Sequence, residues 1–427
     1  MENFLIYLVI ILFLIVVCVM FNDRITKLPT EIAILIFSLI VGIVIKLLFS
    51  VDEELSLQIM STITKFRLDK VLMDGLLCFM LFTGASELKL PSLVNNFKPI
   101  ALLALLTTVI ASVIYGTMFY CVALILGLDI NFTLCVLLGS IVSPTDPIAA
   151  TSILGKMGLT KNVTAVMEGE SLFNDGTGVA LFIFVKQLYL DTSQSNFFVV
   201  MGKELFGAIL VGVAVSFVLS FLVKATSNPI NHILISLLAV SFCYVMCEEL
   251  EFSGVIASVV CGIYFSTMMD RYKAADKDLD PDNYYKDFWS IIDKLLNYIL
   301  YAMIGISFVY IVKVEWFVIV AIAAVIFNLV ARYLGVLLST AIVRQCPDDY
   351  KIKPFTILMT WSGLKGGLCL ALAMSAIEFL PVNAYYLILY ITYITIIFTT
   401  VFQGLTVGKV FNTIKNGRVR KSQKIAK

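Results

Sequence analysis

Apolar residues run along this chain in long unbroken blocks, with short polar stretches between them. A helix rising 1.5 Å per residue needs about 20 apolar residues to cross a hydrocarbon core of about 30 Å. By that measure the sequence predicts about thirteen spans, over 3–21, 29–49, 70–88, 99–127, 131–154, 163–189, 197–224, 229–248, 253–268, 286–313, 316–343, 353–377 and 382–411. The connections are too short to hold a separate soluble domain. The longest, over about 269–285, is mixed in charge, and the tail from Lys415 is basic.

Two of these blocks are interrupted. The fifth contains Ser143-Pro144-Thr145-Asp146-Pro147, and the twelfth contains Gly363-Leu364-Lys365-Gly366-Gly367. Proline removes a backbone donor and clashes with the preceding turn, so Pro144 and Pro147 break the fifth helix and free carbonyl groups. The two interrupted spans lie seven apart in an odd set of thirteen. That spacing suits two six-span repeats of opposite orientation joined by one span, with a broken helix at the same place in each. Such a pair is the best sequence pointer to a transporter's substrate site.

Composition fits a polytopic membrane protein. The chain has 427 residues, is 60% hydrophobic with mean hydropathy +0.97, and only 14% of it is charged, against about 25% in soluble domains. The net charge of +1 says nothing about nucleic acid, but no basic cluster is interleaved with aromatics, so no nucleic-acid partner is expected. The nine cysteines are scattered without zinc-like spacing, and Cys243 and Cys247 read as packing residues. Met1-Glu2-Asn3 offers no basic region of a cleaved signal peptide. Counting basic residues in the short loops places the N-terminus outside and the C-terminus in the cytoplasm. Arg24, Lys27, Lys89, Lys98, Lys156, Lys161, Lys224, Lys273, Lys277, Arg344, Lys351 and Lys353 then fall inside, with Asp129, Asp191, Glu249, Glu251 and Glu378 outside. The outer 50–69 loop, with Lys65 and Arg67, departs from the rule.

Charge inside the apolar blocks is the chemical signal. Asp146 lies at the break of span five. Glu168-Gly169-Glu170-Ser171-Leu172-Phe173-Asn174-Asp175-Gly176 lies in span six. A charged group at the centre of a bilayer costs roughly 2.5–3.5 kcal/mol on insertion scales, so intramembrane carboxylates mark an ion or proton pathway by default. Glu170 pairs with Asn174, and Ser171 with Asp175, at i,i+4 spacing on adjacent helix faces. From Val163, Asp175 is about 18 Å along the helix, near mid-membrane. Such hard oxygen donors suit Na⁺, Li⁺ or a proton rather than a soft metal. Arg332 in span eleven lies at a depth where it can pair with Glu170. Lys365, at the break of span twelve, can neutralise half-helix carbonyl ends. Lys186 reads as a snorkelling residue, His232 as interfacial, Asp74 as hydrated, and Glu248 as a solvated helix end or a vestibule residue.

These strings resemble the cation:proton antiporter-1 family of prokaryotic electroneutral Na⁺/H⁺ antiporters and animal exchangers. The Glu-Ser-Leu-Phe-Asn-Asp-Gly run is the most specific, and Leu81-Phe82-Thr83-Gly84-Ala85-Ser86-Glu87 and Ser253-Gly254-Val255 also fit. The resemblance covers about spans one to thirteen. It implies an all-α polytopic membrane protein of the NhaA-like antiporter fold, with two inverted six-helix repeats and crossed broken helices. It further implies a homodimer in the cytoplasmic membrane that exchanges a monovalent cation for H⁺, with the lipid bilayer as surroundings and no cofactor. The expected organisation is interface helices over 1–98, core helices over 99–189, linker and interface helices over 190–313, core helices over 314–411, and a basic cytoplasmic tail over 412–427. Asp175 corresponds to the carboxylate that binds cation and proton in turn, with Asp146 as its partner, Thr145 offering a carbonyl and Ser171 a hydroxyl. Glu170 and Arg332 correspond to a core salt bridge with Asn174 bonded nearby. Lys365 stands where the family usually has arginine, keeping the charge and losing the fork. The residue before Asp175 is the amide Asn174, so one-for-one electroneutral exchange is expected. The alternatives are an intramembrane aspartyl protease, for which the expected Gly-x-Gly-Asp string is missing, and a passive cation channel.

Overall fold

The computed structural model describes residues 4–49, 70–125, 127, 130–191, 196–275, 281–310, 317–344 and 346–425. Among them no strand forms; every regular element is helical. The first helices are α1 (Phe4–Phe21), α2 (Thr30–Phe49) and α3 (Leu77–Glu87). Then come α4 (Thr108–Ile125), α5 (Phe132–Val142), α6 (Ile148–Lys156), α7 (Lys161–Tyr189) and α8 (Phe197–Lys224). The second half holds α9 (Pro229–Glu249), α10 (Gly254–Ala275), α11 (Pro281–Ile306), α12 (Phe317–Val343), α13 (Ile352–Ser362), α14 (Gly367–Ser375), α15 (Val382–Ile397) and α16 (Gly404–Ile425).

Local signals fix several starts. Asn131, Asn196 and Asn228 cap α5, α8 and α9 by accepting from Leu134 N (2.8 Å), Phe198 N (3.1 Å) and Ile230 N (3.0 Å). Each thereby satisfies an amide that the first helical turn leaves without a partner. Pro229 sits in the first turn of α9, where its missing N–H costs nothing. Wide π-type turns at Leu103–Thr107 and Phe398–Gln403 carry the chain into α4 and α16 without ending the helical run.

Eight helical segments among the described residues are long and apolar enough to cross a membrane: Tyr7–Thr26, Thr30–Leu47, Phe97–Ile125, Phe197–Lys224, Pro229–Glu249, Tyr284–Ile306, Ile319–Val343 and Val382–Gly417. α3, α5 and the run Gly367–Glu378 are shorter apolar helices. α7, a single α-helix of 29 residues, is not among the eight. Lys161, Glu168, Glu170, Asp175 and Lys186 interrupt its apolar character. Phe198, Phe206, Leu210, Phe217 and Phe221 along α8 are exposed, as are Val9, Phe13 and Val16 on α1. Bare aromatic and aliphatic faces of this kind suit a lipid surround, where tails are as apolar as the side chains.

Two differences from the sequence reading concern helix ends. α10 runs on to Ala275 and α11 starts at Pro281, so the connection expected over 269–285 is mostly helical. The basic tail is also helical, as α16 continues to Ile425, and Lys415 Nζ donates to Met157 O (3.4 Å). Asp74 lies outside the described side chains.

The packing places the two interrupted helices at the centre. α4 lies along α5 and α12, α12 along α13 and α15, and α10 along α3, α8 and α9. A second seam joins α2 to α11. Around the breaks, Leu137, Ile141, Tyr301, Leu370, Leu372, Tyr390 and Tyr393 form one buried cluster.

Candidate functional site

The site grows out of the two breaks. α5 stops at Val142 and α6 begins at Ile148; α13 stops at Ser362 and α14 begins at Gly367. Between these ends the two chains cross, and Asp146 N–H donates to Leu364 O (2.9 Å) in an isolated antiparallel bridge. Gly366 makes the crossing possible. A Cβ there would lie 2.8 Å from Asp146 Cβ and 2.9 Å from its Oδ2, closer than carbon atoms pack.

Broken backbone at membrane depth must find partners for its polar groups. Three successive carbonyls are freed on the first break, and each is met. Ser143 O accepts from Lys365 Nζ (3.0 Å), Pro144 O from Cys369 Sγ (3.5 Å), and Thr145 O from Ser171 Oγ. Lys365 is itself held through its backbone, whose N–H donates to Thr399 Oγ1 (3.0 Å) and whose carbonyl accepts from Thr400 Oγ1 (3.2 Å). The lysine of one break therefore caps the other break as a buried point charge. A single acceptor needs no guanidinium fork.

α7 passes beside the crossing and presents two carboxylates differently. Glu170 makes a two-pronged pair with Arg332, at 2.8 Å from Nη1 to Oε1 and 3.0 Å from Nη2 to Oε2, with both side chains almost fully enclosed. Asn174 Nδ2 donates to Glu170 Oε1 (3.1 Å) and Thr145 Oγ1 (2.7 Å), and Asn174 Oδ1 accepts from Thr145 N (3.3 Å). Asp175 is only half-buried and takes no hydrogen bond or ion pair from any described residue. It lines a cavity of about 370 Å³ together with Thr145, Asp146 and Ser171. Farther along the wall stand Glu31, Glu87, Glu168, Asp293 and Lys294. Asp146 has both oxygens engaged: Oδ1 accepts from Ile148 N (2.9 Å) and Oδ2 from Tyr301 OH (3.1 Å).

All eight singled-out residues thus belong to one connected region. Asp175, Asp146, Ser171 and Thr145 meet at the cavity, while Glu170, Asn174 and Arg332 form the network behind it and Lys365 caps the break. One arrangement was not foreseen. The Ser171 hydroxyl and the Thr145 carbonyl, considered separately as oxygen donors, are bonded to each other. Lys186 lies over the Phe379 ring at 4.9 Å, and His232 is fully buried with Nε2 2.8 Å from Thr226 O.

Sequence reasoning missed Tyr301, which sits in an apolar run and carries no pattern of its own. It also passed over Asp293, whose Oδ1 accepts from Thr83 Oγ1 (2.6 Å). A carboxylate inside the tenth predicted block is the same signal that singled out Asp175. A hard cation would find suitable oxygen atoms here in the carboxylates of Asp175 and Asp146 and the hydroxyl of Ser171.

The family profile described as "Sodium/hydrogen exchanger, transmembrane" matches residues 8–413. The Na⁺/H⁺ antiporter NhaP of Pseudomonas aeruginosa is 30% identical over 405 residues, 93% of this chain and 94% of that protein. The Na⁺/H⁺ antiporter NhaH of Halobacillus aidingensis is 28% identical over 95% of this chain and 97% of its own length. Among solved structures, the sodium proton antiporter MjNhaP1 from Methanocaldococcus jannaschii at pH 8 superposes with a TM-score of 0.73, covering 96% of this chain and 98% of that one. At 18% identity that likeness speaks for the fold alone. A match of this extent, over a crossing of broken helices with carboxylates at its centre, shows that the chain belongs to the transmembrane sodium/hydrogen exchanger family.

Proposed function

We propose that the protein exchanges a monovalent cation, Na⁺ foremost, for H⁺, with both competing for Asp175. It is a transporter, not an enzyme, and the protease alternative finds no support in the family. One observation carries the assignment. Asp175 is a carboxylate on a cavity wall with no partner among the described residues, whereas its neighbour Glu170 is already neutralised by Arg332. A carboxylate that no described residue satisfies is free to take either ligand from the cavity. Asp146, Ser171 and Thr145 complete the proposed cation surroundings. Competition for one carboxylate suffices for antiport, because a site holding a proton cannot hold the ion.

The same reading has thirteen spans in two inverted repeats, an outside N-terminus, a cytoplasmic C-terminus and a homodimer in the cytoplasmic membrane. The cavity wall is built where α2 and α7 begin and α3 and α6 end, which in that topology is the cytoplasmic side. Alternating access then exposes Asp175 to the other face. One proton for one cation makes the cycle electroneutral, since Asn174 cannot titrate and Glu170 stays paired.

Proton flux in proteoliposomes challenged separately with Na⁺, Li⁺ and K⁺ tests the exchange. Apparent cation affinity should weaken as pH falls, by at most about tenfold per unit, because one proton is displaced per cation bound. Clamping the membrane potential with K⁺ and valinomycin, after checking that K⁺ is not itself carried, tests the stoichiometry. A reversal condition that shifts with potential refutes one-for-one exchange, because only net charge movement couples an equilibrium to voltage.

A further inference from the structure

Two carboxylates of the cavity wall differ in their partners: Asp175 has none among the described residues, and Asp146 has two. Asp146 gives Oδ1 to the Ile148 amide (2.9 Å), a bond within its own break, and Oδ2 to the phenol of Tyr301 (3.1 Å), 155 residues away on α11. Tyr301 is fully buried, and its position is set from behind. Ser38 Oγ on α2 donates to the Tyr301 carbonyl (3.3 Å). One turn on, Gly305 lets α2 approach so closely that a Cβ there would collide with Ser38. The phenol therefore projects from a tight α2–α11 seam that is separate from the crossing itself. On the other side, Gly366 closes over the Asp146 carboxylate.

We propose that Tyr301 is a positioning residue that separates the roles of Asp146 and Asp175. By occupying Asp146 Oδ2 it holds that carboxylate out of direct contact with a cation arriving in the cavity. Asp175 is left as the group the ion meets first. Asp146 joins the cation only when the phenol lets go, so each binding event in this conformation works against one hydrogen bond. The proposal rests on the assignment of Asp175 as the carrier.

Equilibrium binding of ²²Na⁺ to purified protein in detergent reads this directly and does not require a working transport cycle. Tyr301→Phe removes the donor and keeps the ring. Its Kd for Na⁺ should fall by about threefold or more, the effect of one released hydrogen bond. In the Asp146→Asn background the same change should leave Kd where it was, because Tyr301 acts only through the Asp146 carboxylate. In proteoliposomes Tyr301→Phe should lower the KM for Na⁺ without raising the maximal rate. An unchanged or higher Kd in the single variant overturns the proposal, as does an equal fall in both backgrounds. Asp175→Asn run in parallel separates the two levels. If Asp175→Asn still exchanges Na⁺ for H⁺, the carrier assignment has failed. If it is inactive while Tyr301→Phe leaves Kd unchanged, only the positioning role has failed.

Discussion

Glu170 and Asp175 are acids five residues apart on one helix, yet they live in different surroundings. Five residues at 3.6 per turn rotate the helix by about 140°, so the two carboxylates leave α7 on opposing sides. One enters a closed network of Arg332, Asn174 and Thr145; the other reaches an open cavity. The sealed acid is paired and hydrogen-bonded, which is the condition for keeping a charge at membrane depth. The open acid is left without such support. A helix can thus hold a paired carboxylate and one facing a cavity about one and a half turns apart, provided the packing separates them.

The sharpest way to test that division is to remove the cavity acid, the proposed carrier. Asp175→Asn should abolish exchange in proteoliposomes while the protein still inserts and melts near the wild-type temperature, since nothing in the described structure leans on that carboxylate. Removing the sealed acid should do the reverse. Glu170→Gln or Arg332→Gln strands one buried charge, at a cost of about 3–5 kcal/mol, and should lower the melting temperature in detergent sharply. The double variant should recover part of the loss. Single variants that melt like wild type would refute the structural role.

A smaller effect is expected at the break itself. Lys365→Met deprives the Ser143 carbonyl of its ammonium, a loss of about 1–3 kcal/mol for a buried group left unsatisfied. Lys365→Arg keeps the charge and should restore most of the melting temperature. Smallest is Ser171→Ala, which deletes the hydroxyl that meets the Thr145 carbonyl at the cavity wall. Its Na⁺ affinity should change by a few-fold, consistent with one hydrogen bond of about 1 kcal/mol, with the fold intact.

Much of this site could be read from local pattern. Pro144 and Pro147 announce a broken helix because proline acts within one turn. Glu170 with Asn174, and Ser171 with Asp175, follow from helical spacing alone. Arg332 could be matched to Glu170 only by depth, and the fork geometry became visible with the helices packed. The target of Lys365 was legible only as a class, a half-helix carbonyl end, and not as the Ser143 carbonyl. Tyr301 was not legible at all, since its partner is 155 residues away and no spacing rule links them. The span limits were least certain where polar residues are tolerated inside helices, as in the tail that α16 continues through to Ile425.

The bond that ties the crossing together, from Asp146 N–H to Leu364 O, belongs wholly to the main chain. Any residue except proline can donate from position 146, and any residue can accept at position 364. The tie itself is therefore indifferent to the side chains at its two ends, while Gly366 beside it admits none. Replacing the acid at 146 or the hydroxyl at 171 removes a side-chain contact and leaves this main-chain tie in place. The tie between the two breaks and the side chains mounted on it are in that sense separable.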